Sequence, residues 1–123
     1  MKIEVPNGDI VDKVCILLIK QGRLSDADKK RNVERELEII MPCMISFISA
    51  DDPMFQRLMS INTRLCDIED AIRDKERRKE FDEEFIQIAR SVYIVNDERA
   101  ITKKQINIQT NSPLLEEKSY ASY

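Results

Sequence analysis

Between Leu58 and Val92 an apolar helical stripe changes phase inside a run that holds neither glycine nor proline. Leu58, Ile61, Leu65, Ile68 and Ile72 recur at steps of three and four, the spacing that places side chains on one face of an α-helix. Were the helix to continue straight, the stripe would next fall on Glu76, Lys79, Glu83 and Ile86, so charge stands where apolar residues are needed. Phe81, Phe85, Ile88 and Val92 form the following stripe instead, displaced by about two residues, or roughly 200° at 3.6 residues per turn. One rod cannot bury both stripes in one core. The spacing predicts a break between about Glu76 and Glu80, and a short connection that folds the two helices into an antiparallel hairpin.

The rest of the chain agrees with an all-α fold. Two glycines and four prolines in 123 residues are too few for a turn-rich β architecture, and the length suits a single helical domain over 1–123 with its own core. Residues 1–8 read as an extended arm, 9–108 as helices and 109–123 as a tail. Helix one, about Ile10 to Gln21, begins near Asp9, ends at Gly22, and is apolar around most of its girth, which predicts burial on several sides. The SDAD stretch at Ser25 to Asp28 fits a cap and acidic first turn for helix two, which should run to about Met41 before Pro42 ends or kinks it. Cys43 to Ala50 then forms a short fifth helix or a continuation past the kink. Asp52-Pro53 pairs a capping carboxylate with proline at the first helical position, so helix three starts there. Helix four starts near Glu80 and extends to about Asn107, with Asn96 and Asp97 the place for any local irregularity. The fold expected is a four- to five-helix bundle with a long C-terminal hairpin and an ordered tail.

Composition narrows the chemistry. Net charge is −3 with acidic and basic residues interspersed, so no basic face for nucleic acid is expected. No apolar run reaches the ~20 residues of a membrane span and no leader-like segment opens the chain, which predicts a cytoplasmic protein. Cys15, Cys43 and Cys66 lie far apart in helical contexts and read as reduced thiols. Histidine is absent, which removes the commonest metal ligand and general base. No cofactor, metal site or catalytic residue is identified. Glu69-Asp70 with Asp82-Glu83-Glu84 loosely imitates the magnesium carboxylates of helical nucleotide pyrophosphatases, yet 14 of the 18 residues from Asp67 to Glu84 are charged and would contain such spacings by chance.

Beside each apolar stripe runs a polar one. Asn62, Glu69, Arg73 and Glu76 align on helix three; Arg90, Tyr93 and Asp97, then Asn96, Arg99, Lys103 and Asn107, keep helical spacing on helix four. The rows are either solvated faces laced with i,i+4 pairs, each worth about 0.2–0.5 kcal/mol, or the walls of a pocket across the hairpin.

The segments NTRLCDIEDAIRDKE, FDEEFIQIARSVYIVNDERAITKKQIN and SPLLEEKSYASY carry the patterns IEDxIRxKE, ARxVYxxNDxRAxxKxxIN and EEKSYxxY. In these the chain resembles, over nearly its whole length, a family of small bacterial or phage proteins of unknown function. Departures fall at Leu17 or Leu18, where the family tends to have an acidic residue, and near Cys66, where it tends to have an aromatic one. The match runs through Glu69, Asp70, Arg73, Arg90, Tyr93, Asn96, Asp97, Arg99, Lys103 and Asn107 and on into Glu116, Glu117, Lys118, Ser119 and Tyr120. It implies a tail that folds back onto the helices, and a setting near sugar-transfer and surface-glycan genes.

Two functions of different class remain. The first is a helical binding or assembly module, with helix one covered by a second copy of the chain in a homo-oligomer, a dimer being the commonest case. The second is a binder of an anionic small molecule (a nucleotide, sugar nucleotide or phosphosugar), using Glu69, Arg73, Arg90, Tyr93, Asn96, Asp97, Arg99, Lys103, Asn107, Lys118 and Tyr120, because guanidinium and ammonium groups suit phosphate and a tyrosine can close over a ring. A carboxylate-and-magnesium nucleotide hydrolase ranks below both.

Overall fold

The computed structural model describes residues 1–123 and contains four helices: α1 (Asn7–Arg23), α2 (Ala27–Ile45), α3 (Pro53–Arg78) and α4 (Glu83–Gln109). They form an all-α bundle, with α3 and α4 as the hairpin. No helix is long and apolar enough to cross a membrane.

The phase break falls where the stripe demanded. Lys79 takes a left-handed conformation (φ 55°) and closes α3 as its C-cap, and Asp82 opens α4 by accepting the Phe85 N–H at 2.9 Å. The turn is held by a lysine that points inward. Lys75, only 4% exposed, brings Nζ within 3.0 Å of Asp82, 3.2 Å of Glu80 and 3.4 Å of Glu84. Asp82 is thereby held below the ordinary carboxylate range, first by the Phe85 N–H and then by Lys75; the Asp82 hydrogen bond raises Lys75 in turn. Phe81, expected to face inward, is largely exposed and meets Phe85 edge-on with ring centres 5.2 Å apart.

α1 sits at the centre and packs against the other three helices. Val11, Val14, Cys15 and Leu17 meet Val33, Leu37 and Met44 from α2, Phe55 and Leu58 from α3, and Ile106 from α4. The apolar girth of α1 is thus covered by helices of the same chain, which removes the reason for expecting a second copy over it. A fully buried leucine such as Leu58 contributes about 1.5–3 kcal/mol by leaving water.

Boundaries differ from expectation where tertiary partners replace local signals. α1 starts at Asn7, two residues before Asp9, and its N-cap residue Pro6 makes no side-chain cap. The cap comes from the far end of the chain: the Gly8 N–H donates to Asn107 Oδ1 at 2.6 Å and the Asn7 N–H to Ser112 Oγ at 3.0 Å. α1 also passes through Gly22 to Arg23, with Leu24 as C-cap. Asp52 caps α3 as expected, accepting from the Met54 N–H, and within the Ser25–Asp28 stretch it is Asp26 that caps α2, accepting from the Lys29 N–H.

Pro42 neither ends α2 nor starts a fifth helix. The helix continues to Ile45, since the one carbonyl a proline leaves unbonded is that of Glu38, a residue on the exposed face. Residues 46–52 form turns. α4 is continuous through Asn96 and Asp97.

Candidate functional site

Polar groups gather along the α1–α4 contact and the tail beside it. Asp12, 5% exposed, receives two hydrogen bonds from the Arg99 guanidinium, one of them from Nε at 2.9 Å, and a third from Asn62 Nδ2 at 2.9 Å. The hydrogen bond to Asp12 raises the Arg99 pKa further above its ordinary value and outweighs the effect of burial. One turn along α4, Lys103 Nζ lies 3.0 Å from Asp9 and 3.2 Å from Glu116 of the tail. Burial disfavours the Lys103 charge, yet its carboxylate neighbours Asp9, Asp12 and Glu116 win, and the ammonium is held above its usual range.

The tail runs back along α4. Asn111 (φ 53°) turns the chain in the left-handed region that asparagine tolerates, and the Ser112 N–H bonds to the Asn107 carbonyl at 2.8 Å. Glu116 then meets Lys103 and Lys118, Glu117 meets Lys104 at 3.0 Å, and the Tyr123 hydroxyl donates to Asp97 at 2.6 Å. The Tyr123 ring packs edge-on against Tyr93 at 5.2 Å. The tail is therefore ordered along the helix without regular structure of its own.

Between tail and helix lies a cleft of about 550 Å³. Tyr93, Asn96, Asp97, Arg99 and Lys103 line it from α4, and Lys118 and Tyr120 from the tail. The structure brings these seven candidates together because 93, 96, 97, 99 and 103 lie on one side of α4 and the tail runs along it. Asn107 stands apart, buried as the cap of Gly8, though it borders a smaller cleft of about 200 Å³ beside Lys103 and Lys104. Glu69 and Arg73 pair with each other at 3.2 Å on the outside of α3, and Arg90 reaches Gln87. Those three take no part in the cleft. Asp70 lies 3.7 Å from Arg23, while Asp82 and Glu84 surround Lys75, so the carboxylates that imitated a magnesium set are not gathered, and no group of three or more metal-ligating side chains occurs elsewhere.

Sequence reasoning missed the buried Asp12 and the partly buried Asp9 as the counter-charges behind Arg99 and Lys103. Two aspartates at the start of the mainly apolar DIVDKVCILLIK run were their one visible signal. Val92, Ala100, Ala121, Ser122 and Tyr123, which complete the cleft walls, carried no individual mark beyond tail position or helical phase.

A family model described as a family of unknown function, DUF6165, matches residues 1–123. The chain belongs to this family. No curated protein and no solved structure matches it. For this DUF6165 member, the whole described fold lies within the family match, including both walls of the cleft.

Proposed function

We propose that this DUF6165 chain is a helical binding module whose ligand is a small anionic molecule seated between α4 and the tail. The observation that carries the reading is the composition of the cleft. Arg99, Lys103 and Lys118 line it together with Tyr93, Tyr120 and Tyr123, so a charged head and a flat or sugar ring find matching groups within about 550 Å³, inside the size range of small-molecule sites. Nucleotides, sugar nucleotides and phosphosugars have this shape.

Thermal denaturation of the intact protein with a panel of these compounds tests the reading. A ligand at 100 times its dissociation constant stabilises by about 2.7 kcal/mol, a readily measured rise in melting temperature. Lys118→Ala and Tyr120→Ala, both at exposed tail positions, should reduce that rise while leaving the unliganded protein near its original stability. A panel that moves the transition nowhere would overturn the proposal.

Assembly is favoured by a different surface. Ile94, Ile101 and Ile108 recur every seven residues on the outer face of α4, with Ile101 56% and Ile108 62% exposed. An isoleucine stripe of this kind is a natural contact for a second copy of the chain, most simply as a two-fold dimer. Sedimentation of a monomer at micromolar concentration would sink this second reading, and Ile101→Glu should dissociate any dimer built on it.

A further inference from the structure

The Glu116 carboxylate bridges two ammonium groups, with Oε2 3.2 Å from Lys103 and Oε1 3.1 Å from Lys118. The bridge stands at the junction of the two clefts, both of which include Ala100, Lys103 and Lys118 in their walls. The three partners differ in how firmly they are fixed. Lys103 is mostly buried on α4 and keeps a second partner in Asp9 of α1, so its ammonium stays in place without Glu116. Lys118 is half exposed, held by Glu116 and set 5.8 Å from the Tyr120 ring centre. Glu116 itself belongs to a segment with no helix or strand, tied down mainly by partly exposed ion pairs, which are individually weak.

We propose that Glu116 is a tethered stand-in for the anionic head of the ligand, and that the head group is a phosphate. The inference rests on the binding reading given above. A phosphate carries more charge than a carboxylate and offers three acceptor oxygens, enough to take hydrogen bonds from Lys103 and Lys118 together and still face Arg99. On binding, the phosphate replaces the Glu116 carboxylate between the two lysines. The ring attached to it then lies along Tyr93 and Tyr120, and Glu116 moves to solvent. Tail order and ligand affinity are consequently linked, each changing the other by the same factor.

The test compares wild type, Glu116→Gln and Lys118→Gln as full chains, with adenosine monophosphate and inorganic phosphate as probes. Calorimetry reads affinity, and amide hydrogen exchange reads residues 114–123. Removing an internal competitor raises apparent affinity by the inverse of the fraction of molecules open to ligand, so Glu116→Gln should bind adenosine monophosphate at least about threefold tighter than wild type. Lys118→Gln should bind it more weakly than wild type. Exchange in the tail should speed up in Glu116→Gln without ligand and slow again when the ligand ties Lys118 and Tyr120 to α4. If wild type binds but Glu116→Gln binds equally or less well, Glu116 is part of the wall and the stand-in role is wrong, while the binding reading survives. If neither protein binds either probe, the phosphate assignment falls; a silent wider panel would take the binding reading with it.

Discussion

Asp12 of α1 and Arg99 of α4 face each other as a two-point pair at the helix–helix contact, and Asn62 of α3 supplies the third hydrogen bond. One buried carboxylate thereby joins three of the four helices. Removing one partner of a fully buried ion pair costs about 3–5 kcal/mol; because Arg99 is partly open to water, Arg99→Ala should cost about 2–4 kcal/mol in urea unfolding. Asp12→Asn should cost less, since the guanidinium left behind can reach solvent whereas the carboxylate cannot. Equal losses, or the reverse order, would show that the stranded charge does not decide the stability.

The two glycines should respond in opposite directions. A Cβ added at Gly8 would stand 2.5 Å from the Lys103 carbonyl oxygen and 3.0 Å from Asn107 Oδ1, so α1 and α4 would have to separate. Gly8→Ala should destabilise by about 1–3 kcal/mol. Gly22 meets nothing within 4 Å and lies in a helical turn, so Gly22→Ala should stabilise by about 0.5–1 kcal/mol. Paired thermal melts check both. A neutral Gly8→Ala would mean that the close approach of the two helices is not required.

Stability should be nearly level across neutral pH and fall at both extremes. Asp82 and Glu116 are held below their ordinary values of 3.8 and 4.5, so their contributions are complete above those values and are lost as pH drops through the lowered ones. Lys75 is held above its ordinary 10.5, so its contribution is complete below that value and is lost as pH rises past it. Burial, with nearby Asp12, pushes the Cys15 thiol up to about 12, so this thiol stays neutral throughout the working range. With no histidine in the chain, urea midpoints from about pH 5.5 to 9 should vary little. A sharp inflection near pH 6.5 would contradict this assignment of the titrating groups.

Local signals proved legible wherever the chain satisfies itself locally. The hairpin break followed from stripe phase, the cap of α3 from Asp52, and the start of α2 from the Ser25–Asp28 stretch, because each acts within three residues of its own position. The start of α1 was misplaced because its cap comes from Asn107, 99 residues away, for which no neighbouring residue gives a sign. Lys75 was invisible for a related reason. In a run so dense in charge, a lysine that turns inward to meet three carboxylates looks no different from those that remain in water. The candidate site divided along the same line. Helical phase put Tyr93 in one row with Asp97 and Asn96 in another with Lys103, but nothing in the spacing said whether Glu69 and Arg73 would meet those rows or each other, as they do.

The clasp of Asn7 and Gly8 by Ser112 and Asn107 sets an order of events during synthesis. The amide groups that open α1 acquire their acceptors only after residue 112 has left the ribosome. At about 5–20 residues per second, that is a wait of roughly 5–20 s for the most apolar helix in the protein. During that interval α2 and, later, α3 can shield one side of α1, but the surface destined for α4 stays open to any other apolar chain in the cell. The step that completes the fold is therefore the last to become available, and nascent chains stalled before Asn107 are the ones that should depend most on chaperones.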